Sequence, residues 1–154
     1  MTRLTIATAF LGIMLSGCSL TGVDEDGAAA RVRVETERQA YAPLDLVRVT
    51  VTNRGDEAVY LDVCSGGIEG FYDAVGDWNG SYGMARICAP FATREDVVEH
   101  MRRIEPSRSV VDTLHVNAYA YEGRWRVYYN VLDSEGGRLP DGRVTSNEFG
   151  VVLD

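Results

Sequence analysis

From residue 30 onward, apolar and polar residues alternate in short runs separated by turn residues. Val32 and Val34 alternate with Arg31, Arg33 and Glu35, and Val47, Val49 and Val51 with Arg48, Thr50 and Thr52. After the turn Asn53-Arg54-Gly55-Asp56, the pattern resumes with Val59, Leu61 and Val63 against Tyr60 and Asp62. Leu114 and Val116 face away from Thr113, His115 and Asn117, and Trp125, Val127, Tyr129 and Val131 face away from Arg124, Arg126, Tyr128 and Asn130. Phe149 and Val151 close the series. A period of two marks a half-buried strand, because successive side chains point to opposite faces. Asp133-Ser134-Glu135-Gly136-Gly137 and Pro140-Asp141-Gly142 supply turn chemistry for a long hairpin between the last two runs. The pattern predicts an all-β antiparallel sandwich of about seven to eight strands over residues 30–154.

One stretch fits two templates. Val97, Val98, Met101 and Ile104 lie at helical spacing behind Thr93 and Asp96, which have the spacing of a capping box. The same residues also read as an edge strand ending at Glu105-Pro106. The strand is preferred, because the turn Pro106-Ser107-Arg108-Ser109 leads directly into another strand.

The front of the chain carries a different pattern. Arg3 precedes a continuous run from Leu4 to Leu15, and Leu15-Ser16-Gly17 stands just before Cys18. That order is the one found in secretory signals, and the run is short of the ~20 residues that span a bilayer. With a cysteine directly behind the small residues, the segment resembles a bacterial lipoprotein signal. The resemblance implies removal of residues 1–17, acylation of Cys18 and a membrane partner reached through that lipid. Two or more acyl chains hold stably at ~0.8 kcal/mol per buried methylene. Ser19 after the cysteine is similar to an outer-membrane address, and Asp24-Glu25-Asp26 to some surface-export signals. Residues 18–29 then form the acylated cysteine and a polar tether, whose eleven residues after Cys18 reach roughly 17–20 Å.

Charge narrows the partners. Asp and Glu number 23 against 15 basic residues, all arginine, for a net charge of −8. Nucleic-acid binding needs a basic footprint, and docking on anionic lipid needs polybasic segments; neither fits. Besides Cys18 there are Cys64 and Cys88. An exported chain passes through an oxidising compartment, so these two are expected to pair. They would close a loop of about 25 residues, worth roughly 3.5 kcal/mol in the chain-entropy model. A zinc site using them with His100 or His115 lacks the tight ligand spacing such sites prefer.

Three segments together resemble an immunoglobulin-like sandwich of the kind bacterial lipoproteins carry. They are the strand pair and turn of residues 45–61, the proline turn from Ile104 to Ser109, and Glu122-Gly123-Arg124-Trp125-Arg126-Val127 followed by residues 146–151. The likeness also extends to the intracellular proteinase inhibitor-like family. Trp125 stands where such domains hold a corner tyrosine, and Val127 where they hold the second cysteine. The resemblance therefore implies neither the usual inter-sheet disulfide nor the usual tyrosine-corner hydrogen bond. It concerns shape, not activity.

Chemistry is sparse. Ser65-Gly66-Gly67 is not the G-x-S-x-G elbow, and with only two histidines a triad has few ways to form. Asp133, Glu135 and Asp141 crowd one hairpin but lack the spacing of a calcium loop. Met84, Met101, His100 and His115 form no copper-binding cluster, and the methionines are read as core filling. No cofactor is implied. The unusual feature is an insertion from Ser65 to Ala92, with Phe71, Tyr72, Trp78, Tyr82 and Phe91 among six glycines. Closed at its base by Cys64 and Cys88, it is the candidate binding surface, through Phe71, Tyr72, Trp78 and Tyr82. The plainer alternative is that these rings cap the open end of the sandwich. The expectation is a non-catalytic lipoprotein with a monomeric head domain that binds a protein partner at the cell envelope. A proteinase inhibitor and a sugar- or metal-binding lipoprotein are the alternatives.

Overall fold

The computed structural model describes residues 27–79 and 100–153. A single 3-10 turn, η1 (Ala28–Arg31), leads into β1 (Val32–Thr36), β2 (Ala40–Tyr41), β3 (Leu46–Asn53) and β4 (Val59–Tyr72). Then follow β5 (Asp77–Asn79), β6 (Met101–Ile104), β7 (Ser109–His115), β8 (Gly123–Leu132), β9 (Arg138–Thr145) and β10 (Phe149–Val151). One sheet has the order β1-β3-β7 and the other runs β2-β10-β8-β4-β5, with β6 also on β4 and β9 also on β8. The fold is a β-sandwich. Its arrangement is immunoglobulin-like: β1, β3 and β7 share one sheet, while β4, β8 and β9 share the other.

The ten strands reduce to the expected seven or eight when interruptions are counted. β9 and β10 pair with successive parts of β8, Tyr128↔Thr145 and Trp125↔Phe149, so they are one final strand broken at residues 146–148. β1 and β2 are likewise a broken first strand that changes sheets: β1 pairs with β3, and β2 pairs in parallel with β10.

The alternation read from the sequence decides which side chains face inward. Val47, Val49 and Val51 are fully buried, as are Trp125, Val127 and Tyr129 on the facing sheet. These two strands thus place their alternating apolar sets in the core, and a one-residue slip would expose them. Trp125 also ties down a corner. Its Nε1 donates to the carbonyl of Tyr121, four residues upstream, at 3.0 Å. The indole makes the backbone tie that a tyrosine hydroxyl makes in related folds. Tyr121 in turn donates its hydroxyl to the carbonyl of Phe71 at 3.0 Å.

Two boundaries differ from the sequence reading, and a third is met only in part. The insertion does not begin at Ser65, because β4 continues through Tyr72. The glycines there serve close packing inside a strand: a Cβ at Gly66 would enter the ring of Tyr129, and one at Gly67 would meet the hydroxyl of Tyr128 at 2.8 Å. The β4–β8 register also shifts between Asp62 and Gly67, the bulge that such glycines permit. Pro140-Asp141-Gly142 is not a turn but part of β9, with Asp141 at φ 53° and an irregular register against β8. Of the ambiguous stretch, Met101–Ile104 is strand, and residues 93–99 lie outside the described residues.

Buried polar groups are paired. Asn53 donates through Nδ2 to the carbonyls of Glu57 and Ile104, which fixes the β3–β4 turn. Tyr129 reaches between the sheets to donate to Asp112 at 2.9 Å. Among the described residues no buried side-chain nitrogen or oxygen lacks a partner.

Candidate functional site

The strands have two ends, and the chain enters at one of them. Arg54 N–H donates to the carbonyl of Arg31, and Val32 pairs with Asn53. At this near end also lie the 105–108 turn, held by Asn53 N–H to the carbonyl of Arg108, and the 133–137 turn beyond β8. The far end holds the 42–45 turn, the 116–122 loop, the β4–β5 turn and the last residues of β10. Leu46 pairs with His115, Gly123 with Val151, and Leu44 N–H donates to the carbonyl of Val116, which gathers these segments together. Ten residues of β8 at 3.3–3.4 Å each set the ends about 30 Å apart.

Large apolar side chains exposed to solvent collect at the far end. Leu44, Leu46 and Tyr119 are 65%, 52% and 84% exposed. Val75, Val152 and Leu153 are exposed there too, as is Tyr72, whose ring lies 6.5 Å from that of Tyr121. Among the described residues only Val111 is both exposed and away from this end. Single exposed apolar residues are ordinary on protein surfaces; their gathering at one end makes that end the candidate contact surface.

Leu44 is the sharpest member. Pro43 and Leu44 form the corners of a turn closed by Asp45 N–H to the carbonyl of Ala42 at 3.1 Å. Leu44 has φ 69°, a left-handed conformation that this turn position normally gives to glycine or asparagine. A leucine there carries strain of order 1 kcal/mol, and an exposed one gains no core burial in return.

The predicted aromatic residues divide. Phe71 and Trp78 pair across β4 and β5 with ring centroids 5.3 Å apart in an edge-to-face arrangement. Both stand on the outer face of the seven-stranded sheet and both are half-buried. Tyr72 belongs to the far end. Tyr82 and Cys88 lie outside the described residues, as does Cys18. Cys64 is buried in β4.

Beside Phe71 and Trp78 runs a ladder of arginines and rings. The guanidinium carbon of Arg124 sits 4.1 Å from the centroid of Phe71, Arg126 4.0 Å from Trp78, and Arg143 4.2 Å from Tyr128. Glu69, 3% exposed, accepts from Arg126 Nε at 2.7 Å and pairs with Arg143 Nη2. Alternation on β8 already placed Arg124, Arg126 and Tyr128 on one face. Glu69 and Arg143 come from other strands, so only the pairing register brings them in.

The residues weighed as metal ligands do other work or stand apart. Asp133 Oδ1 accepts from the N–H groups of Glu135 and Gly137, both at 2.8 Å, and so shapes its own turn. His115 is exposed at the far end, and Met84 lies outside the described residues. Among the described residues no three His, Cys, Asp or Glu side chains gather to hold a metal, and no helix is long and apolar enough to cross a membrane.

No protein-family model matches the chain, and no curated protein matches it. Among solved structures it is similar to the sporulation control protein Spo0M of Bacillus subtilis, at 11% identity and TM-score 0.47, covering 80% of this chain and 49% of that one. It is also similar to a chain of the Salmonella enterica SafA pilin–SafB chaperone complex, at 13% identity and TM-score 0.41, covering 80% and 54%. A third is the DNA-bound alkylpurine DNA glycosylase AlkC of Pseudomonas fluorescens, at 14% and 0.39, covering 83% and 33%. The chain thus spans about half or less of the length of these three. At such scores they bear on no functional argument.

Proposed function

We propose that this chain is a non-catalytic, lipid-anchored interaction module of the bacterial outer membrane, acylated at Cys18 and carrying a Cys64–Cys88 disulfide. Its contact surface is the far end of the sandwich, and the occupant is a protein with a complementary apolar patch. One observation carries this reading: the exposed apolar side chains gather about 30 Å from the point where the chain enters the sheet at Arg31. A tether at residues 18–29 would then leave that end pointing away from the membrane. The strained, exposed Leu44 supports the same surface, since a position that costs stability without burial is kept for another purpose.

The test uses the full chain expressed in a Gram-negative host. Intact mass should show loss of residues 1–17, fatty acylation of Cys18 and a mass two hydrogens short for the Cys64–Cys88 pair. Cys18→Ser should leave the protein unacylated and free of the membrane fraction. Cross-linking in the native envelope should capture a partner with the wild type, and Leu44→Ser with Tyr119→Ser should abolish that capture at unchanged stability. Capture that survives the double substitution would overturn the surface assignment, and an unmodified Cys18 would overturn the anchoring.

A further inference from the structure

A second surface is built into the outer face of the seven-stranded sheet, and it is of the opposite character to the apolar end. We propose that the ladder Arg124, Arg126 and Arg143 with Phe71, Trp78 and Tyr128 binds an anionic polysaccharide, one bearing carboxylate or sulfate groups along its length. This goes beyond the protein-docking role of the far end and does not depend on it.

The first argument is donor capacity. Arg126 commits Nε to Glu69, and among the described residues its two terminal nitrogens make no hydrogen bond. Arg143 commits Nη2 to the same carboxylate, which leaves its Nε and Nη1 in the same condition. Arg124 is held by one 3.3 Å bond to Glu148, with both side chains about half exposed. A guanidinium presents its N–H groups as a planar fork that matches a carboxylate or sulfate. The ladder therefore offers three forks with donors to spare.

The second argument is preorganisation. Each guanidinium lies over a ring at 4.0–4.2 Å, and buried Glu69 fixes Arg126 and Arg143 relative to one another. Long side chains normally lose rotamer freedom on binding a ligand; here the fold has already restricted them. Arg124 and Arg126 are two residues apart on β8, so their forks repeat every ~7 Å along the strand. A row of anchored forks on an open sheet suits an extended polymer better than a compact anion.

Charge and apolar surface select among polymers. The chain carries −8 overall, yet within the ladder three arginines meet two acids, Glu69 and Glu148. That local excess is confined to one row, which suits a single acidic strand and not a nucleic-acid duplex, whose recognition rests on a broad basic footprint. The half-buried rings of Phe71, Trp78 and Tyr128 leave apolar edges between the forks, against which the apolar faces of sugar rings can pack.

The experiment titrates the full mature chain with polygalacturonate and with dextran sulfate, using neutral dextran of equal length and a single-stranded oligonucleotide as comparisons. Binding should appear for an acidic glycan, weaken as salt rises and be absent for neutral dextran. Arg124→Ala and Arg143→Ala, both half-exposed and expected to fold, should each weaken it about tenfold. Tyr119→Ser at the far end should leave it unchanged, which separates failure here from failure of the docking role. Absence of binding to both acidic glycans, equal binding of neutral dextran, tighter binding of the oligonucleotide, or indifference to the two arginine substitutions would each overturn the proposal.

Discussion

The two ends of the sandwich perform the same backbone task with opposite side chains. At the near end, turns carry Arg54, Asp56, Glu57, Glu105, Arg108 and Glu135, all exposed. At the far end, turns and loops of similar length carry Leu44, Val75 and Tyr119, also exposed. Turn geometry cannot explain the contrast, since reversing a chain asks for glycine, proline and small polar residues. Asn53 shows the usual economy at the near end: its side chain accepts from Gly55 N–H and donates to two carbonyls, so one residue fixes the whole turn. Leu44 shows the reverse, a strained backbone beneath an apolar side chain left exposed to solvent. The near end thus presents charged groups to solvent, whereas the far end presents the apolar side chains that the proposed docking role requires.

The strongest way to break the far end is to remove its frame. Trp125→Ala deletes a fully buried indole and the bond to the Tyr121 carbonyl, and should cost about 3–5 kcal/mol in urea unfolding. A loss below ~1 kcal/mol would mean that the corner does not hold the loop. Next comes the ladder between the ends. Glu69→Leu leaves Arg126 and Arg143 without their shared carboxylate, yet these side chains are 25% and 50% exposed and can hydrate. The expected cost is about 1–3 kcal/mol, below that of breaking a fully buried pair.

At Leu44 stability and capture should part company. Leu44→Gly should relieve the left-handed strain and raise stability by up to about 1 kcal/mol, offset in part by the greater freedom of glycine in the unfolded chain. The same change should weaken partner capture, so that stability and function move in opposite directions. A destabilised Leu44→Gly protein would show that the leucine packs structurally. The smallest effects belong to the near end. Glu57→Gln and Glu105→Gln remove exposed ion-pair partners of Arg31 and Arg103, and should shift stability by less than about 0.5 kcal/mol. Both should leave capture intact, and a loss of capture on either would erase the distinction between the ends.

Strand identity and core membership were legible in the sequence because period-two alternation is a local property. Every apolar set read from it, from Val32 and Val34 to Phe149 and Val151, is buried. What failed was punctuation. Gly66 and Gly67 resembled a loop, because a glycine admitted by a neighbouring tyrosine ring looks in sequence like a glycine at a turn. Pro140-Asp141-Gly142 resembled a turn for the same reason, although β8 draws it into a strand. Of the surface residues, Phe71, Tyr72 and Trp78 could be singled out by their aromatic character, but not the separate surfaces on which their positions put them.

Local chemistry along the chain therefore determined the all-β class, the inward faces of the strands and the expectation of a lipid-bearing Cys18. Only the tertiary structure decided that Arg126 and Arg143 share Glu69 across three strands, and that Leu44, Tyr72, Tyr119 and Leu153 belong to one end. The reason is physical. Alternation fixes which face a side chain takes, whereas strand pairing and register fix its neighbours, and both proposed surfaces are made of neighbours distant in sequence.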